Sequence, residues 1–276
     1  MLAHQYAKQS MLDFMKTIEE VKSWVYEAGE MQKANLGKKM IIDTKSSGVD
    51  LVTRMDRDSE DYLLDKIRRN CPGHAILSEE SGQDSMESEY LWIVDPLDGT
   101  TNYAQGLPIF AISIALQYRR RTELGVIYVP VLGQMFSAIK GQGAFLNDIR
   151  AQVSCKEELQ ESVLATGFPY DRAEHPDNNV NYFARITPQV RGIRRMGSAA
   201  CDLAYVSAGW LDGYWELNLS PWDVAAGVLM VEEAGGKVLY LSEKRGISLI
   251  AGNRVMCQKI LQEIKITDAI DLWIRC

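Results

Sequence analysis

Histidine is scarce in this chain. The three present, His4, His74 and His175, show no metal-ligand spacing, so each reads as structural or simply exposed, and histidine chemistry is not the organising theme. Cysteine is nearly as uninformative. Cys71, Cys155, Cys201, Cys257 and Cys276 are odd in number and widely spaced, which excludes a zinc knuckle or a disulfide framework and suits a reducing cytoplasm. No uninterrupted apolar stretch is long enough to cross a bilayer. The first twenty residues carry acidic side chains and no apolar core, so they do not read as a signal peptide. Clustered positive charge is missing too. Lys and Arg number 30 against 37 Asp and Glu, for a formal charge of -7, and they are scattered, which argues against nucleic acid as the main ligand.

What remains is an ordinary globular composition, with 46% hydrophobic and 24% charged residues over a length that buries a sizeable core. Ile18, Val21, Trp24, Val25, Ala28 and Met31 recur at helical steps. A β-prone piece over Lys39 to Thr44 follows, then a polar turn Lys45-Ser46-Ser47-Gly48, then a helix to about Asn70 that Cys71-Pro72-Gly73 stops. Short strands come next: Ala75 to Leu77, Leu91 to Val94, Ile109 to Tyr118, Leu124 to Tyr128 and Met135 to Ile139. Beyond residue 150 the pattern alternates. Strands near Leu164, Gly192 and Gly213–Glu216 precede helices near Asn178–Ile186, Ala199–Ser207 and Asp223–Glu233. The expectation is an α/β protein, α+β in its first half and α/β in its second, forming one domain over 1–276 with sublobes of about 1–150 and 151–276.

Chemistry concentrates in Trp92-Ile93-Val94-Asp95-Pro96-Leu97-Asp98-Gly99-Thr100-Thr101-Asn102. An apolar strand runs into a carboxylate, Pro96 is expected to take the chain out of the sheet, and Asp98 follows three residues after Asp95. Such a turn aims both carboxylates and the Leu97 carbonyl at one point, and hard oxygen donors suit Mg²⁺. Gly99 and Thr100 then open a short helix whose free N–H groups offer a phosphate a seat. The plainer alternative is a good tight turn, since Asp, Pro and Gly all favour one. Glu79 and Glu80 end another strand, where adjacent carboxylates ordinarily mark a solvated loop. Asp223 starts an apolar helix, where an N-cap role would account for it.

Charge balance favours the chemical reading. If Glu79, Asp95, Asp98 and Asp223 converge, their negative charges repel a phosphate unless divalent cations sit between. The spacing D-x-x-D-G-T also differs from the D-x-D-G-T of phosphatases that form an aspartyl-phosphate, so direct attack by metal-activated water is expected.

With these segments assembled, the chain resembles the inositol monophosphatase family of Mg²⁺-dependent, lithium-sensitive phosphatases. Trp92 to Asn102 match the first family signature, and Trp222-Asp223-Val224-Ala225-Ala226-Gly227, continuing through Glu233-Ala234-Gly235-Gly236, match the second. Supporting matches are Lys45-Ser46-Ser47, Asp50-Leu51-Val52-Thr53 with Asp56, Ser78-Glu79-Glu80-Ser81, Gly197-Ser198-Ala199-Ala200 and Glu216. The resemblance implies a layered αβαβα sandwich, a homodimer, and about two or three Mg²⁺ ions. It implies that Glu79, Asp95, Asp98, Asp223 and the Leu97 carbonyl hold the metals. Thr100, oriented by Asp56, would position and activate the water, with Glu79 also counted as catalytic. Gly99 and Thr100 would hold phosphate, while Ser198, Ala199 and Glu216, with Asp98 and Asp223, would meet the substrate.

Inositol monophosphate is the favoured substrate, because Glu216 suits a hydroxyl-rich polyol. Fructose 1,6-bisphosphate and broader sugar or nucleotide phosphates stay open, with Arg191, Arg194 and Arg195 available to a second phosphate or, more simply, forming a solvated strand edge or dimer contact. From a different class, a regulatory member that binds RNA or protein stays open as well.

Overall fold

The apolar stripe of the first segment lies on α1 (Leu2–Asn35), where Ile18, Val21, Trp24, Val25 and Ala28 are buried. A computed structural model describes residues 2–38, 42–44, 51–84, 86–242 and 245–264. The turn expected at Lys45-Ser46-Ser47-Gly48 and the start of the β-prone piece at Lys39 lie outside the described residues. A hairpin of β1 (Ile42–Thr44) and β2 (Leu51–Thr53) leads directly into α2 (Arg54–Asn70). β2 is three residues long, too short for an alternation to mark it in the sequence.

The first half builds an eight-stranded sheet. Its strands are β3 (Ala75–Ser78), β4 (Gly82–Gln83), β5 (Tyr90–Asp98), β6 (Ala111–Tyr118), β7 (Arg121–Val129), β8 (Gln134–Ile139), β9 (Gly143–Leu146) and β10 (Ile149–Arg150). They lie in the order β10-β9-β8-β7-β6-β5-β3-β4, antiparallel except where β3 and β5 run parallel. The second half builds a five-stranded sheet from β11 (Val163–Thr166), β12 (Gly192–Arg194), β13 (Gly213–Leu219), β14 (Lys237–Ser242) and β15 (Ile247–Gly252), ordered β12-β11-β13-β15-β14. Five further helices accompany them: α3 (Thr100–Ala104), α4 (Val180–Ile186), α5 (Ala199–Ser207), α6 (Pro221–Glu233) and α7 (Arg254–Glu263).

The layers follow from which faces are apolar. α1 and α2 cover the outer face of the large sheet through Leu63, Leu64, Ile67, Trp92, Ile112 and Ile114. α5 is buried all round and the middle of α6 is buried or half-buried, which places them between the two sheets, with Leu203, Val224, Leu229 and Met230 packed against Ile127, Phe136, Tyr214 and Leu249. α4 and α7 close the far face over Trp215 and Ile250. Each such fully buried side chain contributes roughly 1.5–3 kcal/mol by leaving water. The result is the expected αβαβα sandwich.

Pro96 corrects one expectation. The chain does not leave the sheet there; β5 continues through it to Asp98. Asp95 pairs with Ser113 and Asp98 with Ala111, so one extra residue is accommodated on β5 as a bulge. Proline cannot donate to the ladder, and a bulge is where a strand tolerates that loss. The freed Pro96 carbonyl accepts from Gln32 Nε2 of α1 at 2.8 Å.

Candidate active site

The strand ends bring the acidic residues together. In the parallel β3–β5 pair Ser78 stands opposite Val94, so the next residue on each strand, Glu79 and Asp95, emerge side by side. The Glu79 N–H donates to the Val94 carbonyl at 3.2 Å, which ties the two ends together. The bulge then turns Asp98 toward the second half of the chain, where its Oδ2 accepts from Ser198 Oγ at 2.7 Å and from the Ala200 N–H at 2.6 Å. Asp98 therefore caps the start of α5 from outside, while Ser198 caps it from within.

Asp223 occupies a different cap position from the one expected. Ser220 is the N-cap of α6 and Pro221 its first residue; Asp223 is third, in a capping box whose Oδ2 accepts the Ser220 N–H at 2.7 Å. Proline at the first turn displaced the cap backwards in sequence.

Thr100 and Asp56 meet. Thr100 Oγ1 lies 2.8 Å from Asp56 Oδ1 and 3.2 Å from the Leu97 carbonyl, and its single proton goes to the nearer, charged acceptor. Asp56 is fully buried and held in place as the capping-box residue of α2, its Oδ2 accepting from the Thr53 N–H at 2.8 Å and from Thr53 Oγ1 at 2.5 Å. Gly99 precedes Thr100 at φ +99°, a left-handed conformation that L side chains resist.

These residues border one cleft of about 660 Å³. Glu79, Asp95, Leu97, Asp98, Gly99, Thr100, Ser198, Ala199, Glu216 and Asp223 all line it, and Asp56 stands behind Thr100. Among the described lining residues eight are acidic, namely Glu79, Asp95, Asp98, Asp223, Glu216, Asp171, Glu174 and Asp202, and two, Arg195 and Arg245, are cationic. Burial, then the negative charges of Glu79, Asp98 and Asp223, push Asp95 well above the usual carboxylate range, and Glu79 shares a hydrogen bond with it. Burial likewise raises Asp223, with Asp98 and Glu79 adding to the effect. Burial raises Asp98 only to about 6, because Ser198, the Ala200 amide and Arg195 stabilise its charge. No three acidic, histidine or cysteine side chains among the described residues are grouped tightly enough to hold one ion as they stand. The fit to a divalent cation rests on the donor set instead: one buried and three half-buried carboxylates on strand and helix ends, with a backbone carbonyl between two of them.

Across the cleft, Glu216 Oε2 accepts from Tyr214 OH at 2.6 Å. Burial lifts the Glu216 carboxyl to about 7 despite that bond and the Arg195 charge. Of the three arginines weighed from sequence, only Arg195 lines the cleft; Arg191 and Arg194 are exposed at the edge strand β12.

Two residues with no expected role, Asn102 and Asp202, also shape the site. Asn102 Nδ2 donates to the carbonyls of Ile109 at 2.6 Å and Met196 at 2.7 Å, stitching the first signature to the Gly197-Ser198 segment. Asp202, one turn after Ser198 on α5, lines the cleft and is nearly fully buried. Its signal was present, as an acidic residue inside an otherwise apolar helix.

The chain matches the model of the inositol monophosphatase family over residues 15–269. It is 44% identical over 227 residues to an inositol-1-monophosphatase of Synechocystis sp., covering 82% of this chain and 79% of that protein. It is also 44% identical over 196 residues to the Nus factor SuhB of Pasteurella multocida, covering 71% and 73%. The crystal structure of the extragenic suppressor protein suhB from Bartonella henselae superposes with a TM-score of 0.84 at 36% identity, covering 92% of this chain and 100% of that one. Signatures, layer order and relatives agree: the chain belongs to the inositol monophosphatase family, whose reaction is the hydrolysis of phosphoric monoesters.

Proposed function

We propose that this protein is a Mg²⁺-dependent phosphatase of small polyol phosphates, with inositol monophosphate as its preferred substrate. The observation that carries the reading is the Thr100–Asp56 hydrogen bond at the edge of a cleft lined by Glu79, Asp95, Asp98 and Asp223. Asp56 accepts the Thr100 O–H, so the lone pairs of the Thr100 oxygen are left to accept from a water and to orient that water toward phosphorus. Glu79, Asp95, Asp98, Asp223 and the Leu97 carbonyl are the residues that would hold about two or three cations. Bound there, such cations neutralise the carboxylates, polarise the ester and make water more acidic. Gly99 and Thr100 supply backbone N–H groups to the phosphate. Ser198, Ala199 and Glu216 meet the alcohol, and a carboxylate at 216 is the acceptor that a ring of hydroxyls requires.

The test is phosphate release from myo-inositol 1-phosphate and fructose 1,6-bisphosphate, side by side, with Mg²⁺ and with EDTA. Metal-dependent turnover favouring the inositol ester is the expected result, and Li⁺ is expected to inhibit it. Preference for the bisphosphate would keep the mechanism and move the substrate, with Arg195 as the added contact. Sedimentation at the assay concentration tests the homodimer.

A second reading is favoured by the likeness to a protein named Nus factor SuhB. In that reading the chain also serves as a binding partner in a regulatory assembly. Salt-dependent RNA retention that is equal in wild type and Asp95→Asn would support it; its absence in both would leave the phosphatase alone.

A further inference from the structure

α2 carries a buried polar face that the chemistry above uses only in part. Asp56, Ser59 and Glu60 are spaced so as to share one side of the helix, and all three are buried. Each holds a different segment that leads to the cleft. Asp56 accepts from Thr100. Ser59 accepts from Gln32 Nε2 at 3.1 Å, and the same amide group donates to the Pro96 carbonyl in the β5 bulge. Glu60 Oε1 accepts two backbone N–H groups, from Glu80 at 3.2 Å and Ser81 at 3.1 Å.

Glu60 is 6% exposed, and among the described residues no lysine or arginine pairs with it. A carboxylate is costly to bury in a helix unless its hydrogen bonds are worth keeping. The two amides it holds belong to the turn that immediately follows Glu79. The Glu79 N–H is already fixed to the Val94 carbonyl. The peptide units on both sides of the Glu79 α-carbon are therefore anchored, one to β5 and the next to α2, and the direction of the Glu79 side chain is set from both sides.

We propose that Glu60 is a positioning residue for the divalent-cation site, acting through the backbone of the Glu79–Ser81 turn rather than by touching substrate or metal. The proposal rests on the reading of Glu79 as a metal ligand. Supporting partners of this kind alter metal affinity by roughly 10–100-fold when removed.

The experiment is calorimetric titration of the metal-free full chain with Mg²⁺ and Mn²⁺, with Glu79→Gln as the reference for a lost ligand. Glu60→Ala is expected to weaken binding by roughly 10–100-fold. Glu60→Asp keeps the charge but falls one methylene short, so it is expected to weaken binding as well; it also serves if the alanine variant does not fold, which circular dichroism reports. Glu60→Gln retains a carbonyl acceptor for both amides and is expected to restore affinity to within about threefold of wild type. Wild-type affinity in Glu60→Ala or Glu60→Asp overturns the proposal, as does an equal loss in Glu60→Gln. Absence of cation binding by the wild type is the distinct result that would remove the metal-site reading itself, and this proposal with it.

Discussion

Glu216 occupies the space that a side chain at residue 167 would need. A Cβ built on Gly167 lies 2.0 Å from Glu216 Oε1 and 2.2 Å from its Cδ, so the carboxyl rests on bare backbone at the end of β11. Gly167→Ala should therefore displace Glu216 without touching the metal ligands. The expected outcome is a roughly 10–100-fold loss in kcat/KM for inositol 1-phosphate, the worth of one charged hydrogen bond. Activity on p-nitrophenyl phosphate, which offers no hydroxyl ring, should change far less. Equal losses on both esters would mean that Glu216 does not select the alcohol.

The same carboxyl makes the metal-free protein pH-sensitive. Its folded-state value of about 7 lies above the ordinary 4.5, chiefly because of burial. Between those two values the unfolded chain ionises Glu216 while the folded one resists, so its contribution to stability is intact below about pH 4.5 and is lost as pH rises to about 7. Glu216→Gln escapes this penalty. Urea unfolding in EDTA should show the variant gaining on wild type across that window, with a constant difference above it.

Asp95→Asn is expected to trade function for stability. Burial and the charges of Glu79, Asp98 and Asp223 all disfavour an ionised Asp95. Removing its charge should raise the melting temperature in EDTA by about 2–4 °C for each kcal/mol relieved. It should also abolish the further rise that Mg²⁺ gives the wild type, and turnover should fall at least about 100-fold. A variant that is both less stable in EDTA and still stabilised by Mg²⁺ would contradict the assignment.

Thr100 and Asp56 are separable by a stability measurement. Thr100→Val removes the water-orienting hydroxyl, and kcat is expected to drop by roughly 100-fold or more with KM nearly unchanged. Asp56→Ala also breaks the capping box of α2, so it should lose about 0.5–2 kcal/mol of stability in addition.

The chemistry was more legible in the sequence than the geometry that delivers it. Asp95, Asp98, Glu79 and Asp223 stand out because carboxylates at the ends of apolar runs are expensive anywhere but at a site or a cap. Helices α1, α2, α5 and α6 were legible from their spacing. The two-residue strands β4 and β10 carry no periodicity to detect. β14, β15 and α7 follow the second signature and were not assigned. The bulge at Pro96 and the capping box at Ser220 escaped for a common reason: proline signals that a hydrogen bond is lost, but not whether the chain turns away or the neighbours adjust. Long-range partners such as Asn102 with Met196, or Gly167 with Glu216, are fixed only when distant strands pack, and no local pattern encodes them.

The placement of α6 between the sheets has a consequence during synthesis. Strands β3 to β10 are complete by residue 150, but the apolar face they turn inward, including Ile127, Phe136 and Ala138, is covered by helices that begin at Ala199 and Pro221. At about 5–20 residues per second, the ribosome adds the intervening segment over several seconds. For that interval the apolar residues of these strands have been made but the helices that cover them have not, and yield in the cell will depend on what shields those residues until α6 emerges.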